Sequence, residues 1–187
     1  MTAPRALFLD RDGVINHEVG YLHQAADVRF ADGIFSLCRT AQALSYRLII
    51  VTNQSGIARE LYTTNQFEAL MLWMREQFRS EHILIDAVYH CPFHPEHGVG
   101  EWKREHFDRK PSPGMLLRGA EAFSLDLTQS ILIGDRCSDI AAANAAQLRE
   151  AFLITGTESG EGPRPCPGRY RLIQQLSEAE AWLVSNS

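Results

Sequence analysis

The sequence predicts an α/β fold in which a mostly parallel sheet is covered by helices on both faces. Two observations lead to this fold class. Short apolar runs alternate along the chain with segments of helical periodicity. Three of the apolar runs end directly in polar loops, as buried strands do. The 187 residues suffice for one domain with a substantial core, so residues 1–187 are predicted to form a single unit.

The first half of the chain predicts two strands and two helices. Residues 6–9 form an apolar run that ends at Asp10, which is typical of a buried strand that enters a loop. Apolar side chains spaced along one helical face predict a helix over residues 33–45. Residues 48–51 predict a second buried strand, and a capping box predicts a long amphipathic helix over residues 63–82.

The second half of the chain shows the same alternation of strand and helix patterns. Further strands are predicted over residues 85–90, 130–134 and 151–154. Further helices are predicted to begin at Pro113, near residue 139 and at a cap formed by residues 177–180. Because strand and helix units repeat, the sheet should be parallel, and a ligand site should lie beyond the carboxyl ends of its strands.

Composition excludes several classes of protein. No apolar run approaches the roughly 20 residues of a membrane-spanning helix. The N-terminus lacks the basic region and cleavage site of a secretory signal, so we expect a cytoplasmic protein without membrane partners. A net charge of -5 argues against nucleic-acid binding. Four scattered cysteines without a CxxC pair argue against a disulfide framework. The protein is also expected to be a monomer.

Two carboxylates, Asp10 and Asp12, directly follow the first predicted strand. Gly13 permits the turn that would bring both to one site. One carboxylate could attack phosphorus as a nucleophile, and the other could protonate the leaving oxygen and later activate water. The structural alternative is a turn or cap aspartate, which the pair alone does not exclude.

A third carboxylate, Asp135, directly follows the predicted strand over residues 130–134. With Asp10 it would form an oxygen site suited to Mg²⁺. Asp139 could add a further ligand or could cap the next helix. Since packed like charges are costly, either a metal ion or raised pKa values should accompany this group.

Donors for a phosphoryl group occur in two further places. The loop over residues 52–55 offers hydroxyl, amide and backbone N–H groups after the second strand. Arg109 and Lys110 supply adjacent cations ahead of a helix. A solvated polar loop and a solvated basic pair are the structural alternatives.

These spaced motifs resemble those of the haloacid dehalogenase superfamily of phosphotransferases. The resemblance is carried by residues 10–13, Thr52, Lys110 and residues 134–139, and it spans residues 6–155. It implies a Rossmann-like parallel sheet with helices on both faces, of the haloacid dehalogenase type without a large cap domain. It also implies a Mg²⁺-dependent phosphomonoester phosphatase.

A closer resemblance covers residues 8–16, 20–21, 51–59 and 109–115, which are similar to the heptose bisphosphate 7-phosphatase and histidinol-phosphatase family. It implies that Asp10 is the nucleophile and Asp12 the acid and base, with Thr52 and Lys110 completing the catalytic set. Mg²⁺ would bind Asp10, the Asp12 carbonyl and Asp135. Substrate would contact Glu18, Val19, Gly20, Tyr21, Thr52, Asn53, Gln54, Ser55, Arg109, Lys110 and Arg136.

The function implied by this resemblance is hydrolysis of the 7-phosphate of D-glycero-D-manno-heptose 1,7-bisphosphate in nucleotide-activated heptose synthesis for lipopolysaccharide or capsule. Histidinol-phosphate phosphatase is the alternative within the same class. Its substrate is cationic and would fit poorly beside Arg59, Arg109 and Arg136. A catalytically silent binding protein on the same fold is the alternative outside that class, and the presence of both catalytic aspartates argues against it.

One loop departs from the family pattern. Members often bind a structural zinc ion through Cys-x-His and Cys-x-Cys, and the matching positions here are Cys91, Phe93, His106 and Asp108. Cys91, His94, His106 and Asp108 could in principle form a substitute site. Because Phe93 removes one ligand, we predict that structural zinc is absent and that packing holds the loop.

Overall fold

A computed structural model describes residues 3–155 and 165–186. Its strands are β1 (Arg5–Leu9), β2 (Tyr46–Asn53), β3 (Ala87–Cys91), β4 (Ile131–Gly134), β5 (Glu150–Ile154) and β6 (Arg171–Ile173). Its α-helices are α1 (Ile34–Ala43), α2 (Ser55–Ala58), α3 (Thr64–Ser80), α4 (Gly114–Phe123), α5 (Cys137–Ala145) and α6 (Leu176–Ser185). Strands and helices alternate along the chain, as the sequence predicts.

All six strands pair in parallel, in the order β3-β2-β1-β4-β5-β6. The chain builds outward from β1 through β2 and β3, then returns to place β4 on the other side of β1. The strand order therefore reverses between β1 and β4, and a crevice forms beyond the carboxyl ends of strands at such a point. The parallel, Rossmann-like fold class is confirmed.

Alternate residues of each strand pack against opposite layers of helices. In β1, Leu7 and Leu9 contact the apolar cluster that contains the buried residues of α1, α3 and α6. Ala6 and Phe8 belong to the other cluster, which contains the larger buried apolar residues of α4 and the buried apolar residues of α5. This period of two is the geometry of a strand buried on both faces, and it fixes which residues reach the crevice.

Four elements differ from the predicted ones. Helix α2 (Ser55–Ala58) was not predicted, because the polar residues 52–56 favoured a loop. Strand β6 was not predicted, because Arg171 and Leu172 are exposed and only Ile173 gives an apolar signal. Helix α5 begins two residues before the predicted start. Helix α6 begins at Leu176 rather than after a cap at residue 177, because the Glu178 carboxylate accepts hydrogen bonds from the backbone N–H groups of residues 174 and 175.

The expectation of no disulfide is wrong for one cysteine pair. Cys137, at the start of α5, is bonded to Cys166, whereas Cys38 and Cys91 are free and buried. Sequence spacing could not reveal the pair because tertiary contacts create it. The side chain of Asn144 in α5 forms hydrogen bonds of 2.9 and 3.0 Å with the backbone of Arg169, which brings the segment containing Cys166 alongside this helix.

Two long connections at the carboxyl end of the sheet are described along their whole length, one between β1 and α1 and one between β3 and α4. Apart from one short 3-10 helix each, at Ala25–Asp27 and Gly100–Trp102, they are loops. Among the described residues, no helix combines the length and apolar character needed to cross a membrane.

Candidate active site

Three carboxylates meet in the crevice where the strand order reverses. Asp10 follows β1, Asp135 follows β4 and Asp139 lies in the first turn of α5. One oxygen of each lies within 4.8 Å of the others, a grouping that can hold a metal ion. Gly13 makes the close approach possible, since its φ is +84° and an added Cβ would lie 2.3 Å from Asp135 Oδ2.

Lys110 is the buried counter-charge of this group. Its Nζ lies 2.9 Å from Asp10 Oδ1 and 2.6 Å from Asp139 Oδ1, and it donates to the backbone carbonyl of Val51 at 2.9 Å. The side chain of Asn53 fixes the position of Lys110 through two hydrogen bonds with its backbone, of 2.9 and 3.1 Å. Burial alone would lower the pKa of Lys110, but the two carboxylates outweigh burial and raise it.

One ammonium group does not balance three carboxylates. Burial, opposed in part by Lys110, raises the pKa of Asp10 to about 6. Burial together with the charges of Asp10 and Asp139 raises the pKa of Asp135 to about 8. Asp135 Oδ1 is buried without a hydrogen-bond partner among the described residues. The group is therefore short of positive charge, and a divalent cation that prefers oxygen ligands would supply it.

Asp139 is the least available of the three for a metal ion. Its Oδ1 faces Lys110, and its Oδ2 accepts a hydrogen bond of 3.0 Å from the backbone N–H of Arg136. The carboxylate thus caps α5 and positions Lys110 at once. The cap that the sequence allowed for Asp139 is therefore present, whereas a role as a further metal ligand stays a prediction.

The Asp12 carboxylate is held by four side-chain donors. Arg11 donates to it through Nε at 3.0 Å and through a terminal nitrogen at 2.7 Å, Asn16 at 3.1 Å and Gln54 at 3.2 Å. Arg11 is 1% exposed, so it is an internal partner rather than a surface charge. Sequence reasoning assigned no role to Arg11 or Asn16. Their only signal was their place in the loop that carries both aspartates.

Two of the predicted substrate residues are engaged inside the protein. Both ends of the Asn53 amide bind the backbone of Lys110. The Gln54 amide donates to Thr52 Oγ1 at 2.8 Å and to Asp12, and its oxygen accepts from the hydroxyl of Tyr62. Both amides hold other residues of the site in place.

Thr52 and Lys110 are also buried, and most of the other predicted substrate residues lie at the rim. Glu18 accepts an ion-pair hydrogen bond of 2.9 Å from Arg136, which bridges the loop after β1 to the start of α5. Val19 and Tyr21 are nearly half exposed. Gly20 is exposed beside them and Ser55 is partly exposed, so their surfaces face the solvent side of the crevice.

Arginine side chains concentrate positive charge at this rim. Arg109 donates to the backbone carbonyl of Phe93 at 3.0 Å. Its pKa is lowered by burial first, and the charges of Arg59 and Arg136 contribute to the same shift. Arg59 and Arg136 therefore each lie within electrostatic range of Arg109, although the protein as a whole is acidic.

Aromatic and cation-π contacts hold the loop that contains the candidate zinc ligands. Phe93 stacks on His106 with centroids 4.5 Å apart, and the guanidinium of Arg104 lies 4.0 Å from the Phe93 centroid. Asp108 is paired with Arg118 at 2.6 Å. Within residues 3–155 and 165–186, a group of three potential metal ligands occurs only at Asp10, Asp135 and Asp139. The absence of zinc stays a prediction.

Comparison with known proteins places these features in a family. The HAD-hydrolase-like family model matches residues 107–179. The chain is 50% identical over 150 residues to D-glycero-alpha-D-manno-heptose-1,7-bisphosphate 7-phosphatase of Burkholderia mallei, covering 80% of this chain and 79% of that protein. It is 42% identical over 163 residues to the corresponding beta-anomer phosphatase of Vibrio cholerae, covering 85% and 88%.

Solved structures agree with this relationship. A protein described as a HAD-like phosphatase from Mesorhizobium loti is 32% identical with a TM-score of 0.86, over 98% of this chain and 87% of that one. The D,D-heptose 1,7-bisphosphate phosphatase from B. bronchiseptica, solved with magnesium and phosphate, is 26% identical with a TM-score of 0.80, over 98% and 99%.

Proposed function

Because the chain belongs to the D-glycero-D-manno-heptose 1,7-bisphosphate 7-phosphatase family of HAD-like hydrolases, we propose that it removes the 7-phosphate of that sugar bisphosphate through a phospho-aspartate on Asp10. The observation that carries the proposal is the pairing of Asp10 with Lys110 at 2.9 Å beside Asp135. A carboxylate nucleophile, a fixed cation and a metal-ligating carboxylate are the groups that phosphoryl transfer requires.

Magnesium is the proposed cofactor. Asp10, Asp135 and the main-chain carbonyl of Asp12 would hold the ion. The orphaned Asp135 Oδ1 and the raised pKa values of Asp10 and Asp135 support this site. When bound, Mg²⁺ neutralises charge on the phosphoryl oxygens.

The chain's own residues account for both halves of the reaction. A carboxylate oxygen of Asp10 attacks phosphorus while the bond from phosphorus to the sugar oxygen breaks. Asp12 gives its proton to the departing oxygen, which leaves as the alcohol. Asp12 then accepts a proton from the water that attacks the phospho-aspartate, which releases phosphate and restores the Asp10 carboxylate. Lys110, held by Asn53 and Asp139, stays beside the transferring group throughout.

The cationic rim supports a bisphosphate as substrate. Arg59, Arg109 and Arg136 lie where a second phosphate, away from the reacting one, would meet positive charge. A cationic alcohol such as histidinol would be repelled by the same groups. In the free protein, Glu18 satisfies Arg136, so a bound phosphate would compete with this carboxylate.

A substrate panel tests the proposal. Steady-state hydrolysis with Mg²⁺ would be compared for both anomers of the heptose bisphosphate and for histidinol phosphate. We expect kcat/KM for the better anomer to exceed that for histidinol phosphate by about 100-fold, equivalent to about 2.7 kcal/mol. EDTA should abolish the activity and Mg²⁺ should restore it. Preference for histidinol phosphate, or full activity without metal, would contradict the proposal.

A further inference from the structure

A buried tyrosine is hydrogen-bonded to the polar network of the crevice. Tyr62 lies between α2 and α3 and is 4% exposed. Its hydroxyl donates to the Oε1 atom of Gln54 at 2.5 Å. The ring occupies the space that a side chain at Gly56 would need, since a Cβ there would lie 2.2 Å from it. Its other neighbours include the ring of His23, stacked at 5.3 Å.

The Tyr62 hydroxyl and the Asp12 carboxylate together favour one orientation of the Gln54 amide. The two ends of an amide have nearly the same shape, so only hydrogen-bond partners distinguish them. With its oxygen on Tyr62, Gln54 directs its Nε2 to Thr52 at 2.8 Å and to Asp12 at 3.2 Å. In the reverse orientation the amide oxygen would face the acceptor-only Asp12 carboxylate, which is a repulsive contact, and the Tyr62 hydroxyl could no longer donate to the amide oxygen.

Tyr62 can act as this donor over a wide pH range. Burial raises the pKa of its hydroxyl to about 12, so it remains protonated where the enzyme would work. It has no hydrogen bond to Asp12 among the described residues, so the hydrogen-bonded connection between the two side chains runs through Gln54.

We propose that Tyr62 is a positioning residue for Asp12, which acts by fixing the donor end of the Gln54 amide toward that carboxylate. The inference rests on the proposed function, because it assumes that Asp12 transfers a proton to the leaving oxygen. It assigns to Gln54 an internal role and predicts that the benefit from Tyr62 is greatest for substrates whose leaving group needs that proton.

The test is Tyr62→Phe, with Tyr46→Phe as the matched control. Tyr46 is also 4% exposed, but its buried hydroxyl has no hydrogen-bond partner among the described residues, and it lies at the opposite end of the sheet, at the start of β2. The readout is the single-turnover rate of phosphoryl transfer from the sugar bisphosphate and from p-nitrophenyl phosphate. The second substrate has a leaving group that departs without protonation.

For Tyr62→Phe we expect transfer from the sugar bisphosphate to slow by about five- to tenfold, consistent with the loss of part of a general-acid contribution, with KM changed by less than about twofold. Transfer from p-nitrophenyl phosphate should slow by less than about twofold. Tyr46→Phe should match the wild type with both substrates. An equal loss with both substrates, or no loss beyond that of Tyr46→Phe, would overturn the inference.

A double-mutant cycle covers the case in which Tyr62→Phe lowers stability. If Tyr62 acts through Gln54, adding Tyr62→Phe to Gln54→Met should cause no further loss. A further loss of about fivefold in that background would show that Tyr62 acts by another route. The proposed function fails separately: it is contradicted if the wild-type protein does not hydrolyse the bisphosphate, whereas the inference is contradicted by active variants that lack the expected selectivity.

Discussion

The crevice beyond β1 and β4 and the loop between β3 and α4 lie at the same end of the sheet, but different forces hold them. In the crevice, buried ion pairs of 2.6 and 2.9 Å join Lys110 to Asp139 and Asp10. In the loop, Phe93 packs between the rings of His106 and Trp102, at 4.5 and 5.4 Å, under the guanidinium of Arg104.

The difference shows which residues can change independently. Buried charges act on one another over several ångströms, so replacing Asp139 or Lys110 alters the pKa values of Asp10 and Asp135. Ring contacts act only at short range. A set of ring contacts can therefore order a loop in place of a set of metal ligands. Because the charges of the crevice depend on one another, its residues keep the family motifs. The loop residues are less interdependent, and the loop departs from the zinc-ligand pattern of the family.

The largest expected effect in this comparison concerns the charge of the crevice without metal. The raised pKa values of Asp10 and Asp135 mean that the metal-free fold binds protons that the unfolded chain has released. Its free energy of unfolding should therefore fall as pH rises from about 5 to about 8.5, at up to about 1.4 kcal/mol per pH unit for each group. Saturating Mg²⁺ should remove most of this slope. Urea unfolding across that pH range, with EDTA or with Mg²⁺, measures both slopes.

The variant Asp135→Asn is the control, since it removes one of the two titrating groups without changing side-chain size. Its metal-free stability should depend less on pH than that of the wild type, and Mg²⁺ should stabilise it less. Equal slopes with and without Mg²⁺ in the wild-type protein would show that no metal ion relieves the carboxylate group.

A smaller effect is expected in the loop. Phe93→Ala removes a partly buried ring and should lower the free energy of unfolding by about 2 kcal/mol. It should leave kcat within about threefold, because Arg109 binds the backbone carbonyl of residue 93 rather than its side chain. Leu72→Ala, at a position 63% exposed in α3, is the control and should change stability by less than about 0.5 kcal/mol.

Elemental analysis completes the test of the loop. Purified protein should contain far less than one zinc ion per chain, and Phe93→Ala should not change that content. Stoichiometric zinc that is lost together with stability in Cys91→Ser would show that a metal ion, and not the rings, orders the loop.

Much of the fold could be predicted because each core strand contains at least three consecutive buried apolar residues. Strands β1, β2, β4 and β5 are buried, and each was recognised within a few residues of its observed bounds. Strand β6 and the Cys137–Cys166 pair were missed for the same reason, since both depend on tertiary neighbours and carry little signal of their own.

The candidate active site was likewise predicted only in part. The sequence predicted that the loops at Asp10, Thr52 and Asp135 would converge, because loops after parallel strands share one edge of the sheet. The family resemblance implied that Lys110 joins them. The sequence could not show that the Asn53 and Gln54 amides turn inward, or that Tyr62 reaches Gln54. Those contacts depend on side-chain direction and on the space left by Gly56, which periodicity does not encode.

The central claim is that Asp10 carries the phosphoryl group during turnover, and identifying the modified residue tests it most directly. The reaction with the bisphosphate would be quenched in acid during the first turnover and treated with borohydride, which reduces an aspartyl phosphate to homoserine. Peptide mass spectrometry should then find homoserine at position 10 in the wild-type protein and none in Asp10→Asn, which should also be inactive. Turnover by a wild-type protein that yields no modified residue, or modification at a different carboxylate, would contradict the account.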